Sequence, residues 1–475
     1  MRASSAAAAL RLLTRHRFFS LLLAAGIALR VVTSLAYRPA LIYIDSVGYL
    51  ENEVHLTPEL VRPLGYPIFL RILPLGAGLW VVPLVQHLLG VAMAVAIYAL
   101  LLRLGVNRWL AALATAPVLL DAMQLNLEQQ ILTETLFDAL VLAAVLLLLW
   151  RPRPGLLAAG LAAFALAAAS LTRSVALLVI VPAALTILLL RSGLTWKTVA
   201  ARLLALGAVF AVPLVLYAAW FHSVYGVYSL NGYSGRFLYA RVAPFVDCST
   251  LSVPEYERVL CPKQPVGKRP SIEAFMWLRA KSPYFRVRVP PSIAHGKSAQ
   301  VARSQVAGNF AKRVILNQPL TYLHEVEKSF VRGFAPTRTT RSGEVPVGRW
   351  QFQDHYPVYG SSVQLLARHH EHPRFDRSLG SFLRSYQRFG YTPGPLLALA
   401  LLLGVVGALG LGPARHSGLR TACFLFAGST LVVLVTAVAV NQFSWRYQLP
   451  QLVLLPPAGA LGLAALVERL RSSPA

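Results

Sequence analysis

The chain has 475 residues, of which 56% are hydrophobic and only 13% carry a charged side chain. Soluble domains carry about 25% charged residues, so this balance excludes an ordinary soluble globular protein. The formal net charge is +26. We therefore expect an integral membrane protein whose positive charges have to be assigned to the two sides of the membrane.

Apolar runs of roughly 17–22 residues recur along the chain, which is the length that crosses a bilayer core. The first run is interpreted as an uncleaved span, because it is long for the apolar part of a signal peptide and lacks a clear cleavage site. The third is short and suggests a broken or tilted helix. The sequence predicts an α-helical polytopic membrane protein with about ten transmembrane helices, at 18–37, 79–102, 109–121, 131–150, 155–171, 174–190, 203–221, 394–412, 420–440 and 449–467.

Arginine and lysine residues in the short loops predict the orientation of these helices. Every short loop assigned to the cytoplasm carries at least two positive charges, such as Arg103 and Arg108, as the positive-inside rule requires. Both termini are then cytoplasmic. The pieces expected on the extracytoplasmic face are 38–78, 122–130, 172–173, 222–393 and 441–448.

Three regions follow from this topology. Residues 1–221 form an N-terminal transmembrane block that includes the first outer loop, 38–78; residues 222–393 form an extracytoplasmic domain; residues 394–475 form a C-terminal transmembrane block. The extracytoplasmic domain is basic, which suits anionic lipid headgroups, lipid phosphates or acidic glycans, although a generic basic surface is an equal alternative. Nucleic acid is not an expected partner across the membrane from the cytoplasm.

The extracytoplasmic domain contains two of the three cysteines. Cys248 and Cys261 are expected to pair in an oxidising compartment, with two free thiols as the alternative. Apolar residues recur at near-helical spacing over 299–334, and Pro319 is expected to divide this stretch into two basic helices. Such helices either lie on the membrane surface or pack against the transmembrane bundle. The histidine-rich stretch 367–375 is interpreted as a solvated loop, with metal binding as the alternative.

The predicted topology gathers unusual polar residues on one side of the membrane. Charges at membrane depth are costly and usually face a cavity or a partner. Carboxylates there would serve as a general base or hold a metal, and arginines would hold a lipid phosphate. The alternative is a set of topology anchors and buried ion pairs, in which Asp138 would pair with an arginine. The residues concerned are Asp45, Glu51, Glu53, Asp121, Glu128, Glu134, Arg173 and Arg446.

Five motifs occur in a characteristic order: "IDSVGYL", "RPLGYPIFL", "LTETLFDAL", "LTRSVALLVIVPAAL" and, after a large outer loop, "WRYQLPQLVLLPP". In order and sidedness they resemble the GT-C superfamily of integral membrane glycosyltransferases, and among them bacterial relatives of protein O-mannosyltransferases and aminoarabinose transferases. The resemblance covers about 1–221 and 394–467. It implies a polyprenyl-phosphate-linked sugar as donor. The Ala/Leu/Arg-rich composition is similar to that of actinobacterial proteins.

The resemblance also implies roles for individual residues. Asp45 matches the catalytic base, and Glu134 matches a residue that orients the acceptor or a metal. Arg173 and Arg446 match positions that meet the donor phosphate, and Arg62 is expected at the phosphate or at an acidic acceptor. Further candidates are Tyr49, Glu51, Glu128, Tyr447 and Tyr66, the last of these structural.

A departure from the family pattern leaves metal dependence open. Many relatives carry Glu directly after the first-loop Asp, where this chain has Ser46. A divalent cation, Mg or Mn, held by Asp45 and Glu134 is therefore one alternative and a metal-free site the other. Glu51 would be a substitute ligand.

The function expected from these observations is transfer of a sugar, with inversion, from a polyprenyl-phosphate donor to a cell-envelope acceptor. A glycan or lipid acceptor is favoured over a protein. The alternatives are a transporter or flippase of lipid-linked sugars, although no internal repeat is present, and a noncatalytic partner in cell-wall biogenesis.

Overall fold

The computed structural model describes residues 14–360 and 362–467. Within these ranges the chain is largely helical. The α-helices are α1 Arg17–Ala36, α2 Ile44–His55, α3 Gly65–Ile72, α4 Val81–Arg103, α5 Arg108–Leu120, α6 Ala122–Gln129, α7 Glu134–Leu149, α8 Leu156–Thr172, α9 Ile180–Leu189, α10 Trp196–Tyr225, α11 Ser234–Val242, α12 Glu255–Arg258, α13 Ile272–Trp277, α14 Pro291–Ala294, α15 Ala299–Asn317, α16 Pro319–Arg332, α17 Ser362–Arg368, α18 Arg377–Tyr386, α19 Gly394–Leu409, α20 Arg420–Val440 and α21 Leu449–Val467.

Short 3₁₀ helices and one small sheet complete the structure. The 3₁₀ helices are Leu75–Ala77, Ser174–Val179, Pro283–Arg286, Val347–Trp350, Gly412–His416 and Trp445–Gln448. Strands β1 (Tyr37–Arg38) and β2 (Arg374–Phe375) pair antiparallel, with Tyr37 opposite Phe375. This pairing ties the start of the first loop to a segment more than three hundred residues later in the sequence.

The predicted membrane-spanning helices are present as helices. Among the described residues, five are apolar over at least 18 residues: α1, α4, α10, α20, and α21 with the 3₁₀ turn before it. A sixth span is possible if α5 and α6, which meet at a 48° bend, count as one, and this bend matches the broken third span. The other four predicted spans are shorter helices, namely α7, α8, Ser174–Leu189 and α19.

The bundle core consists of side chains from α4, α5, α7, α8, α20 and α21. Alanine and glycine let these helices approach closely, as small residues do between membrane helices. Apolar side chains on the outer surface of α10, such as Leu204 and Leu216, are exposed. Soluble proteins rarely expose apolar surface of this extent, so we assign this surface to the lipid-facing side of the bundle.

Segments expected on the same face of the membrane meet at one end of the bundle, here named the site end. Leu41 bridges to Gln130, and Gly65 packs against the backbone of Leu171 and Thr172. A Cβ atom at position 65 would lie 2.6 Å from the Thr172 nitrogen. Glycine is therefore required where the first loop touches the end of α8.

The buried side chains of the segment 222–393 belong to more than one apolar core. Residues 239–314 form their own core around Tyr239, Phe275 and Phe310. Residues 345–386 instead bury Trp350, Phe352 and other apolar side chains against the first loop and the bundle. The second part lies on the first loop because its apolar side chains complete that loop's core.

Cys248 and Cys261 are joined by a disulfide, with their Cα atoms 6.1 Å apart. Cys423 is a free, buried cysteine within α20. The disulfide closes a short loop at the edge of the 239–314 core, where both cysteines pack against the apolar cluster.

Pro319 divides the 299–334 stretch into α15 and α16, as expected. Helix α15 buries Val306, Phe310 and Val314 in the 239–314 core. Helix α16 packs against the bundle, and its Tyr322 hydroxyl donates to the Ala439 carbonyl at 3.0 Å. Its Leu320 stays 80% exposed, so only one side of this helix has a protein partner.

Candidate functional site

Asp45 is the second residue of α2, and the residue before this helix, Tyr43, has an extended backbone. Ser46 holds the start of this helix: its hydroxyl accepts from the Tyr43 backbone nitrogen at 2.9 Å and donates to the Ile131 carbonyl at 2.8 Å. A carboxylate in a first turn is favoured by the helix dipole. Ser46 therefore positions Asp45, and its hydroxyl is engaged in two backbone hydrogen bonds.

Both oxygens of the Asp45 carboxylate are paired with arginine. Oδ1 lies 2.6 Å from Nη2 of Arg62, and Oδ2 lies 2.8 Å from Nη1 of Arg446. Burial raises the pKa of the Asp45 carboxyl, but the Arg62 and Arg446 guanidiniums outweigh burial and hold the pKa at about 2. Asp45 is consequently a carboxylate at any physiological pH.

Arg446 joins Asp45 to the second carboxylate. Its Nε lies 3.6 Å from Oε1 of Glu134, and the same oxygen is paired with Nη1 of Arg173. Arg173 also donates to the Thr133 hydroxyl at 3.2 Å. Three guanidiniums thus face two carboxylates, and the cluster of Asp45, Arg62, Glu134, Arg173 and Arg446, here called the arginine–carboxylate centre, has a net charge of +1.

These side chains come from four separate parts of the chain. Glu134 begins α7, Arg173 directly follows α8, and Arg446 lies in the 3₁₀ turn before α21. Glu134 is 2% exposed, whereas the arginines are 17% to 26% exposed. A ligand can therefore reach the guanidiniums while the second carboxylate stays covered.

Aromatic rings surround the centre. Arg62 lies over Tyr49 at 5.1 Å, and burial raises the pKa of the Tyr49 phenol to about 12, which keeps it neutral. Tyr49 packs edge-on against Tyr66, whose hydroxyl donates to Gln86 at 2.9 Å. The Tyr447 ring lies 5.5 Å from the guanidinium carbon of Arg173. Tyr66 is fully buried and supports the loop.

Three residues at the centre were not identified from the sequence. The Trp350 ring lies 5.3 Å from the Arg446 guanidinium carbon and 5.0 Å from the Tyr43 ring. Arg349 donates to the Tyr43 hydroxyl at 2.9 Å. The adjacent Tyr43 was recognisable from its position two residues before Asp45. Trp350 and Arg349 carry no such signal, because they are three hundred residues away.

Several predicted candidates lie outside the centre. Glu51 faces the surface on the far side of α2 and pairs with the exposed Arg368 at 3.2 Å. It therefore does not replace the missing acidic residue at position 46. Glu128 belongs to a buried network, pairing with Arg30 at 2.8 Å and His87 at 2.7 Å. That network neutralises a membrane-embedded arginine, so Glu128 is structural here.

Two other acidic residues also have separate surroundings. Asp121 pairs through both oxygens with Arg338, at 2.8 Å each. Asp138 is buried one turn beyond Glu134, and neither of its oxygens has a hydrogen-bond partner among the described residues. The arginine partner expected for Asp138 is thus not in hydrogen-bond contact with it.

The residues present do not form a metal-binding cage. No group of three or more His, Cys, Asp or Glu side chains suited to a metal ion occurs within 14–360 and 362–467. Hard divalent cations take several oxygen ligands, but both oxygens of Asp45 already face guanidiniums. The histidines of the 367–375 loop likewise belong to no such group.

These helices and this site define an α-helical polytopic membrane protein with an arginine–carboxylate centre at one end of its bundle. No family model matches the chain, and no curated protein matches it. Among solved structures it is similar to a crystal structure of ArnT from Cupriavidus metallidurans bound to undecaprenyl phosphate. The identity is 15% and the TM-score 0.30, over 95% of this chain and 79% of that one. An identity and a TM-score this low do not assign an activity to the chain.

Proposed function

We propose that the protein is a GT-C-like membrane glycosyltransferase that moves a sugar from a polyprenyl-phosphate donor to a cell-envelope acceptor on the extracytoplasmic face. The observation that carries this proposal is the arginine–carboxylate centre, in which Asp45 pairs with Arg62 and Arg446 while Glu134 pairs with Arg173. Each of the five motifs of the predicted family contributes one residue to this centre. The site end is then the extracytoplasmic end.

The charge of the centre suits such a donor. A polyprenyl-phosphate sugar is a phosphodiester with one negative charge, and the centre has a net charge of +1. When the sugar leaves, the phosphate becomes a monoester with a charge between −1.5 and −2, roughly as for phosphorylated side chains. Arg173 and Arg446 would hold this developing charge more strongly than the ground state, which is the condition for catalysis.

The reaction needs one proton acceptor. Asp45 takes the proton of an acceptor hydroxyl as its oxygen attacks the anomeric carbon of the donor sugar. The bond between that carbon and the phosphate oxygen breaks, and the polyprenyl phosphate leaves with the electron pair. Attack opposite to the leaving phosphate inverts the configuration. General-base assistance of this kind contributes about 10²–10⁴-fold.

Donor binding would also activate the base. In the free protein both Asp45 oxygens are held by arginine, and a carboxyl with a pKa of about 2 is a weak base. A donor phosphate competes for the same N–H groups of Arg62 and Arg446. As these guanidiniums turn toward the phosphate, the basicity of Asp45 rises while the acceptor is in place.

The test is a transfer assay with purified full-length protein in lipid vesicles. Labelled polyprenyl-phosphate sugars and cell-envelope extracts are supplied on the site-end side. Transfer of label to an acceptor supports the proposal. Movement of the intact donor across the bilayer without transfer indicates a flippase. If neither transfer nor movement occurs, the protein is an assembly partner.

A further inference from the structure

A second feature of the site end is a cavity of about 230 Å³ beside the arginine–carboxylate centre. One ordered water needs about 10–15 Å³ of such space, so the cavity is large enough for part of a ligand. Its polar and aromatic lining comes from Arg338, Trp350, Gln351, Gln387, Arg388 and Tyr391. Two guanidiniums in one small cavity favour an anionic ligand.

Arg338 is a fixed cation in this cavity. Its Nη1 and Nη2 donate to the two oxygens of Asp121, and its Nε donates to Gln448 at 2.9 Å. Asp121 is fully buried behind it. A guanidinium has five N–H donors, so two remain for a ligand. The Asp121 pair therefore orients Arg338 without using all of its donors.

Arg388 is an exposed cation whose neighbour in the sequence is fixed by two hydrogen bonds. Its neighbour Gln387 accepts from the Phe352 nitrogen at 2.8 Å and donates to the Phe352 carbonyl at 3.1 Å. Arg388 itself forms no ion pair with any residue in 14–360 or 362–467. Exposed arginine without a carboxylate partner, next to a fixed arginine, is suited to bind phosphate or carboxylate.

Trp350 connects the cavity to the reaction centre. It lines the cavity, and its ring lies 5.3 Å from the guanidinium carbon of Arg446, whose Nη1 is 2.8 Å from Asp45. None of the five residues of the centre lines this cavity. A ligand held there by Arg388 therefore lies beside the donor site and leaves it free.

We infer that this cavity binds an anionic group, a phosphate or carboxylate, of the acceptor that receives the sugar. The inference rests on the proposed function, and it specifies the acceptor class as an acidic glycan or an anionic lipid headgroup. The anionic group sits at Arg338 and Arg388, and the acceptor extends past Trp350 to bring a hydroxyl to Asp45. Neutral acceptors lose this contact.

The test measures binding to purified full-length protein saturated with polyprenyl phosphate, so that the donor cluster is occupied. The probes are myo-inositol 1-phosphate, dihexanoyl phosphatidylinositol and uncharged myo-inositol. Arg388→Gln is expected to weaken binding of the charged probes about tenfold, since a charge-assisted hydrogen bond is lost. The matched control is Arg377→Gln, another exposed arginine of the same segment outside the cavity, which should change nothing.

The outcomes separate the two proposals. The subsite is supported if Arg388→Gln, but not Arg377→Gln, binds both charged probes more weakly. If only the lipid probe binds more weakly, the subsite is supported and its ligand is a lipid headgroup. Equal affinities in the wild type and Arg388→Gln, or equal losses in Arg377→Gln, overturn it. If polyprenyl phosphate itself does not bind, the proposed function fails. Probe binding to the wild type and to Arg388→Gln can then be compared without polyprenyl phosphate, and this comparison still tests the subsite.

Discussion

Replacing Asp45 with Asn tests the proposed base directly, because the side chain keeps its size and loses its charge. Without a proton acceptor, kcat should fall about 10²–10⁴-fold. The same change frees Arg62 and Arg446, whose N–H groups contact the Asp45 oxygens at 2.6 Å and 2.8 Å. Donor binding should therefore be kept or become tighter, which a general loss of structure would not produce.

The stability cost of this substitution also follows from the structure. A pKa of about 2 instead of 3.8 corresponds to about 2 kcal/mol, at 1.36 kcal/mol for each pH unit. Because the pKa is lowered on folding, this stabilisation is complete above the ordinary carboxyl pKa and disappears as the pH falls toward 2. At neutral pH, Asp45→Asn should thus unfold about 2 kcal/mol more easily.

The assay compares single-turnover transfer, polyprenyl-phosphate binding and thermal unfolding for the wild type and Asp45→Asn. Glu51→Gln is the matched control, since Glu51 is on the same helix and pairs only at the surface with Arg368. Full transfer activity in Asp45→Asn would refute the role of the base. Loss of donor binding together with transfer would instead mean that Asp45 holds the site together.

Three further substitutions have distinct expected results. Arg446→Lys keeps the charge but cannot bridge two carboxylates, so the KM for the donor should rise about tenfold, and an unchanged KM would exclude a phosphate contact. Arg62→Gln removes a cation from Asp45, so the acid limb of the rate–pH profile should move to higher pH, and an unshifted limb would contradict the proposed pairing. Glu128→Gln leaves Arg30 buried without its counter-ion, which should lower stability by about 3–5 kcal/mol in thermal unfolding while the folded fraction retains its transfer rate.

The membrane architecture could be read from the sequence because it depends on local properties. Apolar length gives the helices, and the bend between α5 and α6 was suggested by the shortness of the third run. Pro319 divides α15 from α16 because it occupies the first turn of α16, where its missing N–H group needs no helical partner. Topology then predicted that Asp45, Glu134, Arg173 and Arg446 share one face.

Contacts between distant segments could not be read in this way. The division of 222–393 into two packing units depends on which apolar side chains complete the first loop. Trp350 and Arg349 reach the centre by that packing alone. Glu51 and Glu128 were further site candidates in the sequence, yet their partners are Arg368 and Arg30.

Hydropathy was enough to predict a membrane protein, and the charges of the short loops were enough to predict that Asp45, Glu134, Arg173 and Arg446 lie on one side of it. The pairing of each arginine with its carboxylate was not predictable from such local properties. Pairing depends on distances of a few ångströms between side chains hundreds of residues apart, and Ser46 shows the difference. In the sequence it was a missing acidic ligand, whereas in the fold its hydroxyl positions Asp45.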